Sequence, residues 1–306
     1  LLTSGDYTRS VALMGTVVTI GVIGRGGSQV EQSVERAFDW FQQIENVCTR
    51  FEQQSEVMQL AAQPGVAAPV SAILFEAVRF ALAVAEQSSG AFDPTVGRAM
   101  EDRGFNQEYK SRRAIHTDLP LAESVTYRDV LLDSDRRTIT LLRPLLLDLG
   151  AVAKGLAIDM AAKELAPFEN FSVDAGGDIY VGGHNTRGSL WAVGIRHPRR
   201  PAELIDSLRL SNRAVCTSGD YERTTPSEKN GHHIFDPRTE SSPHAVASVT
   251  VIAPTAILAD AVATAAFVLG PTEGIRLCER LGLDALMFSP SLERHTTQGM
   301  SIAHVS

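Results

Sequence analysis

An α+β fold, built from mixed or antiparallel sheets with flanking helices, is what this sequence predicts. Three observations lead there: the stretch from about 171 to 219 is a succession of short β-branched runs; long segments on either side have helical apolar spacing; and strict strand–helix alternation is absent. At 306 residues the chain can bury a large core, and no linker, repeat or low-complexity tract divides it, so residues 1–306 read as one domain.

The elements follow in order. Ser10 to Ile23 is β-branched and apolar and reads as one strand with Met14-Gly15-Thr16 inside it. Val34, Ala37, Phe38, Phe41 and Ile44 then recur at helical spacing over 30–47. A polar loop follows, and a long amphipathic helix is predicted from Ser71 to Gln87, stopped near Gly90. GAFDPTVG is a punctuated loop, in which Pro94 holds Asp93 out of helical geometry and Asp93 has the position of a turn or cap residue. Residues 102–124 read as a surface excursion, and YRDVLLDS with TITLLR as a hairpin.

That hairpin leads into LLLDLGAVAKGLAID, residues 145–159, where a strand is expected to end at Asp148, turn through Gly150 and enter a helix carrying Lys154. A helix start attracts anions through its free N–H groups, glycine admits a ligand to the main chain, and a lysine lies on the first turns. An ordinary strand-to-helix connection with a solvated lysine fits the same residues. FSVDAGGDIYVGG then gives two strands about a double glycine, followed by WAVGI, LIDSLRL, RAVCTSG and SVTVIA. A nearly wholly apolar helix, TAILADAVATAAFVLG, a further helix near 274–281 and the strand DALMFS complete the chain.

Composition narrows the function classes. Hydrophobic residues make up 44% and charged residues 21%, the proportions of a globular protein, and the net charge of -8 gives no basic footprint for nucleic acid. Cys48, Cys216 and Cys278 form no paired motif and read as small buried hydrophobes. No apolar run is expected to reach the ~18 residues of a membrane span. P-loop, dinucleotide-binding and G-x-S-x-G patterns all fail at the residue level.

Two places retain chemistry. Asp260 and Thr264 lie four apart on an apolar helix, where a carboxylate needs a hydrogen-bond network or a cation; oxygen donors of this kind suit Mg2+. In GHHIFDPRT, His232 and His233 are either packed histidines or, beside a phosphate, a general base.

Taken in order, MGT, FDPTVG, DLGAVAKGLAIDMAA, DAGGDIYVGG, TSGDYER, HIFDPRT and ADAVATAAFVLG resemble the ApbE-type FAD:protein FMN transferases, from about Met14 to Gly270. The resemblance implies two interlocked subdomains with FAD in the cleft between them. By position it places Met14, Phe51, Ala91, Phe92, Asp93, Asp148, Lys154, His233 and Ile234 against the flavin nucleotide. Phe51 is usually Tyr in the family, so its ring can still stack but brings no hydroxyl to the pocket. The resemblance also places Mg2+ on the Ala151 carbonyl, Asp260 and Thr264, and leaves His233 or Asp148 as the base.

The implied reaction moves FMN from FAD to a Thr or Ser hydroxyl of an acceptor protein through a phosphoester bond, releasing AMP. An FAD pyrophosphatase giving FMN and AMP, or a non-catalytic FAD-binding protein, would use the same residues. Family members are commonly exported and lipid-anchored, so a chain beginning without Met fits a trimmed mature form in the cell envelope or periplasm; cytoplasmic relatives exist as well.

Overall fold

In the computed structural model, the residues described are 6–300 apart from 25, 108, 110–112, 121, 123 and 223–230. Six α-helices, two short 3-10 helices (Tyr127–Asp129 and Ala166–Phe168) and thirteen strands are formed among them. The strands are β1 (Tyr7–Leu13), β2 (Thr16–Val22), β3 (Ala68–Pro69), β4 (Val130–Asp133), β5 (Thr138–Leu141), β6 (Phe171–Ala175), β7 (Asp178–Gly182), β8 (Trp191–Arg196), β9 (Leu204–Leu210), β10 (Arg213–Gly219), β11 (Ser248–Ala253), β12 (Asp284–Phe288) and β13 (Arg294–Thr296). The helices are α1 (Ser28–Cys48), α2 (Glu56–Ala61), α3 (Ala72–Gln87), α4 (Gly97–Asp102), α5 (Gly150–Leu165) and α6 (Ala256–Arg280).

Eight strands form one sheet in the order β1-β2-β6-β7-β10-β11-β12-β13, antiparallel at every pairing. Smaller antiparallel sheets are β3-β5-β4 and the ribbon β8-β9. The large sheet is apolar on both faces. Adjacent residues Val215 and Cys216 on β10 point opposite ways, Val215 into a small core under the ribbon with Val193, Leu208 and Phe288, and Cys216 into the main core under α5 and α6. All three cysteines are free and buried, as their isolation in sequence predicts.

The helices form for legible reasons. α1 buries Val30, Val34, Ala37, Phe38, Phe41 and Ile44 on one stripe, each large side chain stabilising the fold by roughly 1.5–3 kcal/mol relative to exposure. α3 starts where the Ser71 side chain accepts the Leu74 N–H at 3.2 Å.

Three expectations are corrected. Ser10 to Ile23 is a hairpin rather than one strand, because Met14 and Gly15 both adopt positive φ (52° and 74°), the geometry of a tight two-residue turn. The polar loop after α1 contains α2, capped by Ser55. Residues 145–149 belong to no sheet; their main chain pairs with the FDPT loop, Gly97 N–H donating to the Leu146 carbonyl (3.1 Å) and Asp148 N–H to that of Pro94 (2.7 Å).

The two helices expected near the C-terminus are both formed, end to end within α6: the one bearing Asp260 stops at a break at Gly270 (φ 81°, ψ -178°), and Pro271 starts the second, which runs to Arg280. By length and composition alone this run is long and apolar enough to cross a membrane, yet most of it is buried against β10, β11 and α5.

Candidate active site

The site is built where α5 crosses the first turns of α6. Gly155 makes the crossing close, since a Cβ there would lie 2.5 Å from the Ile257 Cα and 2.6 Å from the Ala256 carbonyl oxygen. One turn further along α5, Asp159 accepts the N–H groups of Ala256 (2.7 Å) and Ile257 (2.9 Å). Thr255, at the cap position of α6, makes no side-chain cap bond, so the neighbouring helix supplies the acceptor. Burial pushes the Asp159 carboxyl up to about 6, against the opposing effect of those two N–H bonds.

This crossing sets Lys154 beside Asp260. Its ammonium stands 3.0 Å from Asp260 Oδ2 and is also ion-paired with Asp178 Oδ2. Asp178 opens β7 immediately after the Gly176-Gly177 turn, both at positive φ, and its Oδ1 accepts the Thr217 N–H of β10 at 2.9 Å. Asp178 and Asp260 are both buried, so two carboxylates and one ammonium share a pocket with one net negative charge. One turn beyond Asp260, the Thr264 hydroxyl lies 3.3 Å from that of Ser218 on β10.

A second group lies just before α5. Asp148 Oδ2 accepts from Arg50 Nε at 2.8 Å, and Oδ1 accepts the Gly150 N–H at 2.9 Å. Arg50 is 5% exposed; it also donates to the Phe105 carbonyl (2.5 Å), and its guanidinium sits 4.4 Å from the centre of the half-buried Phe51 ring. Met14, in the β1–β2 turn, is half-buried against the main core. Ala91 and Phe92 are buried in the core. Asp93 holds its own loop together: Oδ1 accepts from the Thr95 N–H and hydroxyl (2.9 and 2.7 Å), and Oδ2 from the Tyr127 N–H (2.9 Å). Burial raises its pKa. The bonds from Gly97 and Asp148 then fasten this loop to the segment carrying Asp148.

The two histidines separate clearly. His232 is 1% exposed, with Nε2 2.9 Å from the Pro243 carbonyl and its ring packed edge-on to Phe267 of α6, and burial lowers its pKa. It is a packed histidine that ties its loop to the helix of Asp260 and Thr264. His233 is half-buried, followed by the buried Ile234. The rest of the loop is braced by Arg238 on Asp236 (2.8 Å) and by Arg103 over the Phe235 ring (5.1 Å). Arg223, the last residue of TSGDYER, lies outside the described residues.

Sequence reasoning brought Lys154, Asp260 and Thr264 forward but missed Asp178, Ser218, Arg50 and Asp159. Asp178 had a signal in the double glycine before it; Arg50 and Asp159 are defined by partners about a hundred residues away, and Ser218 by Thr264 on α6. Among the described residues no three His, Cys, Asp or Glu side chains gather as a group that could hold a metal ion. The pocket instead offers hard oxygen donors with net negative charge, which fits Mg2+. Chemically, the arrangement can hold a cation and a multiply charged phosphate between a lysine and two carboxylates.

The sequence model of the ApbE family matches residues 14–287. The chain is 33% identical to a FAD:protein FMN transferase of Treponema pallidum, covering 96% of this chain and 88% of the relative. It is 32% identical to a FAD:protein FMN transferase of Haemophilus influenzae, covering 77% and 69%. Among solved structures, the ApbE protein of Thermotoga maritima superposes with a TM-score of 0.82 at 30% identity, covering 96% of this chain and 97% of that one.

Proposed function

Because the chain belongs to the ApbE family, matched over residues 14–287, we propose that it is an FAD:protein FMN transferase that moves the FMN half of FAD onto a Thr or Ser hydroxyl of an acceptor protein, with Mg2+, releasing AMP. The observation that carries this reading is the convergence of Lys154, Asp178 and Asp260 in one buried pocket, with Thr264 a turn away.

In the proposed reaction, the acceptor hydroxyl oxygen forms a bond to the FMN phosphorus while the pyrophosphate bond breaks and AMP leaves with the bridging oxygen. Asp260, Thr264 and the Ala151 carbonyl would hold Mg2+, which when bound neutralises pyrophosphate charge and stabilises the leaving phosphate. Lys154 adds a positive charge to the same pocket. Phe51 offers a stacking face for the flavin, kept in place by Arg50.

For the hydroxyl proton His233 is the better base. A neutral imidazole carries a ring nitrogen that can accept a proton. Asp148 has its two oxygens engaged by Arg50 and the Gly150 N–H, and serves to start α5 and hold Arg50.

The test is to incubate the protein with FAD, Mg2+ and a flavin-acceptor domain and read covalent flavin by in-gel fluorescence, with Asp260→Ala in parallel. Fluorescent acceptor with wild type and a loss of about a hundredfold or more with Asp260→Ala support the reading. Mg2+-dependent release of FMN and AMP with no acceptor labelling would replace it with an FAD pyrophosphatase; FAD bound and left whole, with a binding protein.

A further inference from the structure

The position of Lys154 between two acids carries a consequence for how the site takes up its cation, resting on the reading of Asp260 and Thr264 as the metal side of that site. Lys154 lies on the second turn of α5, and its ammonium contacts Asp260, the residue from which a divalent ion would draw its carboxylate ligand. An ammonium and a divalent cation on one carboxylate oxygen repel, so one displaces the other. The lysine has somewhere to go. Asp178 is buried, already paired with the same ammonium, and held by the Thr217 N–H on its other oxygen.

We propose that Lys154 is an internal counter-cation that competes with the divalent ion for Asp260, and that Asp178 is the residue that receives the ammonium when the metal takes Asp260. Asp178 is then a positioning residue acting through Lys154. It keeps the lysine in the pocket, with its charge available to a phosphate, while Asp260 passes to the metal. The three side chains come from β7, α5 and α6, and the close crossing at Gly155 fixes the two helices that exchange the carboxylate.

The experiment titrates Mn2+ into the whole chain without FAD and follows free Mn2+ by electron paramagnetic resonance, for wild type, Asp178→Asn, Lys154→Met, the double variant and Lys154→Arg. Asn at 178 keeps an oxygen for the Thr217 N–H, and thermal melting checks that each variant folds. Lys154→Met should bind Mn2+ more tightly than wild type. Lys154→Arg, whose planar fork engages two carboxylates together, should bind it more weakly. Asp178→Asn should weaken Mn2+ binding in wild type by at least about threefold more than it does in the Lys154→Met background.

Equal effects of Asp178→Asn in both backgrounds, or weaker binding in Lys154→Met, would overturn the proposal. If Lys154→Met does not fold, Lys154→Arg binding as tightly as wild type overturns it. Wild type that binds no Mn2+ would instead defeat the metal assignment on which the proposal rests.

Discussion

The carboxylate of Asp159 accepts the backbone N–H of Ala256 at 2.7 Å, capping a helix to which it does not belong. Its other oxygen takes the next N–H, of Ile257, so the first turn of α6 is aimed from α5. Replacing Asp159 by Ala leaves two N–H groups without their acceptor and should cost roughly 1–2 kcal/mol of stability, read as a lower thermal midpoint.

The same carboxyl makes stability depend on pH. Its folded pKa is raised from 3.8 to about 6, so its contribution is fully present below about pH 4 and is lost as pH rises through about 6. The difference in stability between wild type and Asp159→Asn should therefore shift against wild type across that window, by on the order of 2 kcal/mol. Denaturant titrations at pH 4 and pH 7 measure it. A difference that stays constant between the two would show that Asp159 ionises normally.

Gly155→Ala should be more damaging than its single methyl suggests. The new Cβ meets main-chain atoms of Ile257 and Ala256 that cannot rotate away, so the helices must part, at a cost of about 1–3 kcal/mol. Transfer activity should fall together with the melting temperature, because separation of α5 from α6 draws Lys154 from Asp260.

His232 and His233, adjacent in sequence, should give different phenotypes. His233→Ala is expected to lower the rate of transfer at saturating FAD by roughly a hundredfold or more while the protein melts normally. His232→Ala removes the packing on Phe267 and the bond to the Pro243 carbonyl, and should lower the melting temperature first. Equal rates for His233→Ala and wild type would eliminate it as the base.

Arg50→Gln leaves the half-buried Asp148 without its guanidinium and Phe51 without the cation over its ring. FAD affinity, followed by quenching of flavin fluorescence, should weaken about tenfold, and the protein should be less stable by a few kcal/mol. Unchanged affinity would remove Phe51 from the flavin pocket.

How much of this was readable beforehand depended on the range of the interactions. α1, α3 and the β6–β7 hairpin are written in local signals: a stripe of Val34, Phe38 and Phe41, a cap at Ser71, two glycines at 176 and 177. The turn at Met14 was hidden because a methionine rarely marks positive φ. The segment 145–149 has the composition of a strand, but its main-chain partners are Pro94 and Gly97 of a distant loop, which no periodicity reports.

The site divided in the same way. Asp260 and Thr264 stand out as polar residues on an apolar helix, and Lys154 stands out on the helix entered from the Asp148–Gly150 turn. Asp178, Arg50 and Asp159 look like ordinary loop or helix charges until the fold supplies Lys154, Asp148 and the start of α6 as their partners.

The break at Gly270 makes α6 a jointed rod instead of a single shaft. Along an unbroken helix, one inserted residue turns everything on one side of it by about 100° relative to the other. Here the backbone at Gly270 leaves helical geometry and Pro271 begins a fresh axis, so such a twist introduced after 271 stops at the joint. Asp260 and Thr264 keep their bearing toward α5, insulated from changes of length in the outer half of the helix.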